Sequence, residues 1–175
     1  MLPRIFRPDA AALGNEQVEP FGMVNVDCRG NVSTFSPELL GLEDARYANF
    51  IVGNVHDDSF ADMAASPALQ AMSRDIAAGN AMCERECGYW SVCGGGSPIN
   101  KLSENGSFAS SATTFCELVH KVPTDLVLGA LDRLERSLEA GTPPSPARYA
   151  RTLSGRLDRL PPRGKRVDIP IRSAP

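Results

Sequence analysis

Four cysteines in the middle of the chain are the residues best suited to chemistry. Cys83, Cys87 and Cys93 lie within eleven residues, and Cys116 follows them, which gives the pattern C-x3-C-x5-C-x22-C. Three thiolates on a short segment can bind one face of a metal centre, and a fourth at the start of a helix can complete it. Such a ligand set matches a four-iron, four-sulfur cluster or an all-cysteine zinc site.

The residues after the third cysteine favour the cluster. Gly94, Gly95 and Gly96 follow Cys93 directly, and residues without side chains let backbone N–H groups approach sulfur and tune a cluster's potential. The spacing alone favours iron–sulfur over zinc only modestly, because C-x5-C differs from the paired C-x2-C units of zinc knuckles. Four unrelated buried thiols, or two disulfides, agree poorly with cysteines gathered beside three glycines.

The same segment resembles a known family. It reads Cys87-Gly-Tyr-Trp-Ser-Val-Cys93-Gly-Gly-Gly-Ser-Pro-Ile-Asn100-Lys101, preceded by Cys83 and followed by Cys116. This stretch resembles the SPASM domain, the auxiliary-cluster domain of radical SAM enzymes that modify ribosomally made peptides. Within that group it is similar to the maturases that form cyclophane crosslinks in glycine-rich repeat peptides. Weaker likenesses around residues 26–39 and 53–55 extend the resemblance over roughly residues 20–138.

The resemblance implies a role for each cysteine. Cys83, Cys87, Cys93 and Cys116 correspond to the four ligands of one 4Fe–4S cluster, so they form both the metal site and the cofactor site. The fuller family pattern has a further cysteine where this chain has Ser97, so a second cluster is not expected. Cys28 is left over, and we expect it to be a partly buried thiol of a hairpin.

The chain lacks the residues for radical SAM chemistry of its own. That chemistry uses a C-x3-C-x2-C loop, and after Cys83 and Cys87 the third position is Trp90. A (β/α)₈ barrel also takes about 200 residues or more, whereas the chain has 175. We therefore assign no catalytic residue, and we expect S-adenosylmethionine to bind only through a partner barrel.

These observations predict an iron–sulfur auxiliary domain that acts in radical SAM-dependent modification of a ribosomally made peptide. It would be a split or truncated C-terminal part, with a radical SAM barrel chain and a precursor peptide as its partners. The alternative of a different class is a zinc-binding four-cysteine interaction module without a redox role. A non-functional gene remnant is a third interpretation.

Local signals predict a small α+β domain around this segment. Alternating residues on either side of a Cys28–Asn31 turn predict a β-hairpin over residues 22–35, and residues 50–52 read as a further strand. The Ser-Pro-Glu sequence at residues 36–38 predicts one helical turn. Ser66-Pro67 predicts the start of a helix over residues 67–78, which Gly79 would end.

The second half of the chain predicts a cysteine-rich cluster loop, a hairpin and a long C-terminal helix. Asn105-Gly106 is typical of a hairpin turn, here within residues 101–109. Apolar residues at helical spacing then predict a helix from about Thr114 to Gly141. Pro123 would interrupt this helix, and Thr124 is a candidate for its new N-cap.

Charge divides the chain into an acidic body and a basic tail. Residues 1–140 carry a net charge of −9 and residues 141–175 carry +6, and seven of the 14 prolines lie in that last segment. We expect a lead-in over residues 1–20, a SPASM-like domain over 21–140 and a Pro/Arg-rich tail over 141–175, in which Ser145-Pro146 would start one more helix. No apolar run is long enough to span a membrane. The sequence therefore predicts a cytoplasmic protein with neither a membrane nor a nucleic acid among its partners.

Overall fold

The computed structural model describes residues 15–141, which fall into two compact units. The first unit covers the described residues up to Thr113, and the second begins at Thr114. The tail helix that we expect after Ser145 lies outside the described residues, as does most of the expected lead-in. Within residues 15–141 the structure is a mixture of helices and one small sheet, in agreement with the predicted α+β class.

The sheet has three antiparallel strands in the order β1-β2-β3. Strands β1 (Val24–Val26) and β2 (Asn31–Thr34) pair with Val26 opposite Val32, which confirms the hairpin that the sequence predicts. Asp27 closes the turn, because its Oδ1 atom accepts hydrogen bonds from the backbone N–H groups of Arg29 and Asn31. Two acceptor bonds from one short side chain fix the turn without help from the core.

The strand expected at residues 50–52 is wrong in position. Strand β3 is Gly53–Asn54, and residues 45–50 instead form 3₁₀ turns. Three consecutive residues there, Ala48, Asn49 and Phe50, have positive φ angles of 49°, 56° and 64°. That left-handed backbone cannot extend into a strand. It turns Phe50 into the core, where the side chain is fully buried.

Helix α1 (Phe60–Ala64) is short, and helix α2 (Pro67–Glu86) is the long helix of the first unit. The predicted start of α2 is confirmed, because Ser66 Oγ accepts a hydrogen bond from the Leu69 N–H. The predicted end is wrong, because the helix continues seven residues past Gly79. A Cβ atom at that position would collide with the Phe108 carbonyl oxygen and lie 2.8 Å from that of Ser110. Gly79 thus serves close packing rather than termination.

The hairpin expected at Asn105-Gly106 is also wrong. Helix α3 (Trp90–Cys93) is followed by helix α4 (Pro98–Asn105), and Gly106 stands just beyond the end of α4 with a φ of 75°. Its N–H donates to the Leu102 carbonyl at 2.8 Å. A hairpin turn and a helix C-terminus both need a left-handed glycine, so the dipeptide alone does not distinguish them.

The core of the first unit lies between the sheet, the 3₁₀ turns and helices α2 and α4. Tyr47, Phe50 and Phe108 form its aromatic centre, with ring centroids of Tyr47 and Phe108 5.0 Å apart. The remaining side chains of this buried cluster are aliphatic or aromatic: Val32, Phe35, Leu39, Val52, Met63, Leu69, Met72, Ile76 and Leu102. These twelve residues come from across residues 32–108, so the unit is held by contacts distant in sequence.

The second unit is helical from Thr114 onward. A π-helix (Cys116–Lys121) leads directly into helix α5 (Val122–Glu139). The helix is not interrupted at Pro123, since the backbone of Lys121 and Val122 stays helical, but its type changes from π to α beside this proline, which supplies no N–H for the preceding turn. Thr124 is not an N-cap, however, because its hydroxyl donates to the His120 carbonyl at 2.6 Å. No helix among residues 15–141 is long and apolar enough to cross a membrane.

Candidate metal centre

The first two cysteines of the pattern lie at the C-terminal end of helix α2. Cys83 is in the last turn and is buried, and Cys87 is the C-cap, whose N–H donates to the Cys83 carbonyl at 2.9 Å. A separation of four residues puts both on one side of the helix end. The sequence predicted a loop here, and that prediction is wrong for these two residues because α2 does not end at Gly79.

The third cysteine is placed by a helical turn of its own. Helix α3 ends at Cys93, which is half-buried and whose N–H donates to the Tyr89 carbonyl at 3.2 Å. The Trp90 N–H donates to the Cys87 carbonyl at 3.1 Å, so the link between α2 and α3 is itself a tight turn. The thiols of Cys83, Cys87 and Cys93 therefore lie at two helix ends joined by a short connection.

The glycine triplet after Cys93 adopts a backbone that other residues rarely accept. Gly94, Gly95 and Gly96 have φ angles of 61°, 103° and 69°. A Cβ atom on Gly95 would collide with the Asn80 side-chain oxygen and lie 3.2 Å from the Trp90 ring. The triplet is therefore required both by its conformation and by the close approach of helix α2.

Asn15, which is distant in sequence, is hydrogen-bonded to the glycine triplet. Its side-chain amide donates to the carbonyl oxygens of Gly94 and Gly96 at 3.2 and 2.7 Å. Among residues 15–141, no backbone carbonyl accepts a hydrogen bond from the N–H of Gly95 or Gly96. With the carbonyls of Gly94 and Gly96 bonded to Asn15, and the N–H groups of Gly95 and Gly96 not bonded to backbone, the triplet has two N–H donors of the kind that bind sulfur or another anion.

The residues fit a thiolate-ligated centre by donor type. All five cysteines are in the thiol form rather than in disulfides, and the Cys83 sulfur lies 4.0 Å from the Gly95 carbonyl oxygen. Cys116 is buried at the start of the π-helix of the second unit. Within the described part of the chain, no three His, Cys, Asp or Glu side chains stand together as a ready-made metal site.

Two residues of this region could not be recognised from the sequence by their chemistry. The Asn80 side-chain oxygen is buried without a hydrogen-bond partner, and Lys101 is only 2% exposed. The sequence places Asn80 in the loop expected after Gly79 and Lys101 at the start of the expected hairpin, so neither is a candidate site residue by its pattern. Ser97, where the family pattern would place a cysteine, is buried at the N-cap of α4 and makes no side-chain capping bond.

Cys28 stands apart from the other cysteines. We expected a partly buried thiol, but the residue is exposed. It occupies the β1–β2 turn, whose backbone is closed by Asp27 and Gly30 rather than by burial. Turn residues between two short strands have no neighbouring layer to cover them.

Comparison with known proteins gives a relative but no established function. The chain is 42% identical over 113 residues to the uncharacterized protein sll1766 of Synechocystis sp. (strain ATCC 27184 / PCC 6803 / Kazusa). The match covers 65% of this chain and 28% of the relative, so the chain spans less than a third of that protein's length. No protein-family profile matches the chain, and no solved structure matches it.

Proposed function

We propose that this chain binds one 4Fe–4S cluster and acts as an auxiliary, SPASM-like domain in the modification of a ribosomally made peptide. The observation that carries the proposal is that the glycine triplet directly follows the third cysteine. Cys93 is followed by three residues with positive φ angles, and Asn15 donates hydrogen bonds to the carbonyls of two of them. The N–H groups of Gly95 and Gly96 donate to no backbone carbonyl of residues 15–141. A packing cysteine needs no such neighbour.

Each part of the segment has a distinct task in this proposal. Cys83, Cys87 and Cys93 supply three thiolates, and the resemblance supplies Cys116 as the fourth. The glycine N–H groups would donate to the cluster's sulfur atoms and so adjust its potential. When bound, the cluster supplies one-electron transfer. Tyr89 and Trp90, between the second and third ligands, limit the access of water.

The relative is long enough to contain a barrel as well as the matched segment. Because the 113 matched residues are 28% of that protein, about 290 of its residues lie outside the match, and a (β/α)₈ barrel takes about 250. The relative therefore has room for a barrel beside a domain like this one. This supports a proposal in which radical chemistry and S-adenosylmethionine binding belong to a barrel, and precursor peptide binding is shared with it.

The test is metal content after anaerobic purification and reconstitution with iron and sulfide. We expect a brown protein with about four irons per chain, and we expect Cys93→Ala to lose its iron. Cys28→Ala is the matched control, because Cys28 is the exposed thiol of the hairpin turn, and it should keep its full iron content. Metal binding and folding are coupled at such sites, so Cys93→Ala should also lower the urea midpoint of the loaded protein.

Two results would contradict the proposal in different ways. Stoichiometric zinc in a colourless protein isolated anaerobically would favour the four-cysteine zinc module instead. Equal iron loss in Cys93→Ala and Cys28→Ala would show that the cysteines are wrongly divided into ligands and a bystander.

A further inference from the structure

The two edges of the three-stranded sheet differ in how their backbone groups are bonded. Strand β3 forms one edge and strand β1 the other. At β3, the Asn54 N–H donates to the Asp58 Oδ2 atom at 2.7 Å, and the Asn54 carbonyl accepts the Asp58 N–H at 2.9 Å. The residues after β3 therefore close its edge, as proteins commonly do to prevent the addition of another strand.

The edge at β1 has no such cover. The Asp27 N–H donates to a carbonyl of β2 at 3.0 Å. Because backbone groups alternate in direction along a strand, those of Asn25 also face β2, whereas those of Val24 and Val26 face away from it. Within the described part of the chain, no hydrogen bond reaches the N–H or the carbonyl of either valine. Four backbone groups are thus available to one more strand.

The side chains along this edge are apolar and face the same way as the core. Val24 and Val26 lie opposite Thr34 and Val32, and opposite residues of an antiparallel pair share one face of the sheet. Thr34 and Val32 are at most 2% exposed, whereas Val24 is 54% exposed and Val26 is 50% exposed. The row of core-facing side chains therefore continues onto β1, where nothing among the described residues covers it.

An aromatic pair extends this apolar surface at the Val24 end. The Phe21 N–H donates to the Thr34 Oγ1 atom at 2.8 Å, so Phe21 lies beside the residue that pairs with Val24. Its ring centroid is 4.6 Å from that of Phe60, which is itself exposed. An added strand with apolar side chains at alternate positions would cover the valines and reach this pair.

The charge around this edge favours a basic strand. Residues 15–113 carry 13 acidic and 5 basic side chains, a net charge of −8. Glu19 precedes β1, and Asp27 follows it directly. A positively charged segment is attracted to such a surface and a negatively charged one is repelled.

A segment with these properties occurs in the basic tail, outside the described residues. It reads Lys165-Arg-Val-Asp-Ile-Pro-Ile-Arg172, with three basic residues and one acidic residue. Val167, Ile169 and Ile171 alternate with other residues, which is the period of a strand with one apolar face. The 25 residues from 142 to 166 can span about 80 Å when extended, so the length of chain permits the contact.

We propose that the edge of β1 binds residues 165–172 of the same chain as a fourth, antiparallel strand. The inference goes beyond the proposed function and requires no metal centre. Binding of a segment already linked to the domain is intramolecular, so a few backbone bonds suffice to hold it. While the segment is bound, neither a second copy of the chain nor a separate peptide can add to this edge.

The proline in the segment is compatible with this pairing. In an antiparallel pair, Val167, Ile169 and Ile171 would direct their backbone groups toward β1 when their side chains share the face of Val24. Pro170 then lies at a position whose N–H would point away from β1, so its missing donor costs no bond. A proline there also discourages a further strand from adding to the new edge.

The test is hydrogen–deuterium exchange of single amides, followed by NMR on the full chain. In wild type we expect the Val24 and Val26 amides to be protected. In Ile169→Asp, which removes an apolar contact and adds a negative charge, they should exchange about ten-fold faster or more. The Asn25 amide, which faces β2, is the internal reference and should not change.

Two further samples identify the bound segment. Leu153→Asp is the matched control, because it makes the same kind of change in the tail but outside the segment, and it should keep the wild-type protection. A synthetic peptide of residues 163–175, added to Ile169→Asp, should restore protection of Val24 and Val26. Circular dichroism of both variants should match that of wild type.

Four results would overturn the inference. Unprotected Val24 and Val26 amides in wild type would show that the edge is empty, and protection that then appears only with added peptide would assign the edge to a separate strand. Protection that increases with protein concentration would assign it to a second copy. Equal protection in wild type and Ile169→Asp would mean that another part of the chain covers the edge. Equal loss in Leu153→Asp and Ile169→Asp would show that the effect is not specific to the segment.

Discussion

The two units of this protein treat their apolar residues in opposite ways. In the first unit, Phe35, Phe50 and Phe108 are fully buried around Met72 of helix α2. In the second, four of the five leucines of helix α5 are exposed, from 36% at Leu131 to 72% at Leu138. Apolar residues recur at helical spacing in both α2 and α5, and each helix has a proline in its first turn.

The difference lies in what each helix packs against. Helix α2 runs alongside the 3₁₀ turns and approaches the backbone at Phe108 closely enough to exclude any Cβ atom at Gly79. At Gly129 of α5, the nearest atom to such a Cβ is the end of the Arg133 side chain, at 3.4 Å. Apolar periodicity thus reports that a helix has an apolar face, whereas burial of that face depends on distant residues.

The largest contrast is expected from truncating one buried and one exposed side chain. Phe108→Ala should lower the free energy of unfolding by about 3–5 kcal/mol, because it opens a cavity beside Tyr47 and Phe50. Leu134→Ala, at a 40% exposed position of α5, should change it by less than about 0.5 kcal/mol. Urea denaturation followed by circular dichroism measures both. Similar losses in the two variants would show that α5 is as tightly packed as α2.

An intermediate contrast comes from the same substitution in the two long helices. Gly79→Ala should destabilise the protein by about 1–3 kcal/mol, since the new methyl group meets the Phe108 carbonyl and overpacks the site. Gly129→Ala should instead stabilise it by about 0.5–1 kcal/mol through the higher helix propensity of alanine. Thermal and urea unfolding of both variants test the opposite signs. A stabilising Gly79→Ala would contradict the close approach of α2 to that backbone.

The smallest effect concerns the hydrogen bond that joins the aromatic centre to α2. Tyr47 donates to Asp75 at 2.8 Å, and burial together with this bond raises the pKa of Tyr47 well above its usual value. A folded-state pKa above the unfolded value of about 10 contributes stability that is complete below about pH 10 and is lost as the pH rises further. Tyr47→Phe should cost about 1 kcal/mol at neutral pH.

The pH dependence provides the check on this assignment. Above about pH 10, the free energy of unfolding of wild type should fall more steeply than that of Tyr47→Phe, because only the wild-type chain can ionise at this position and it does so more readily when unfolded. Equal slopes would mean that Tyr47 titrates normally and that its bond to Asp75 does not persist in solution.

Much of the local structure followed from short-range signals. The β1–β2 hairpin and the start of α2 at Ser66 appear where the sequence predicts them, and the change of helix type falls beside Pro123. Each depends on a side chain bonding to its own backbone or on a missing N–H, within a few residues. The cysteine segment is likewise continuous in sequence, so its composition and its glycine triplet were visible without the structure.

Three of the errors share one cause. The sequence predicts a helix end at Gly79 and a hairpin turn at Asn105-Gly106, because glycine permits both. Packing with distant residues instead places Gly79 at a close contact within a helix and Gly106 just beyond a helix C-terminus. The strand at residues 50–52 failed because Phe50 is drawn into the core on a left-handed backbone. In all three places the local preference was compatible with two conformations of similar energy, and tertiary contacts decided between them.

The sequence by itself therefore determined the chemistry that this protein has available: four spaced thiols, a glycine backbone beside the third, and an α+β frame. Only the tertiary structure decided that Phe50 and Phe108 are fully buried, that Asn15 fixes the triplet and that α5 leaves four of its leucines exposed. The physical reason is the distance along the sequence over which each kind of interaction acts. Caps, turns and ligand spacing are governed by neighbouring residues, whereas burial and the cost of an unpaired charge depend on which remote parts of the chain meet.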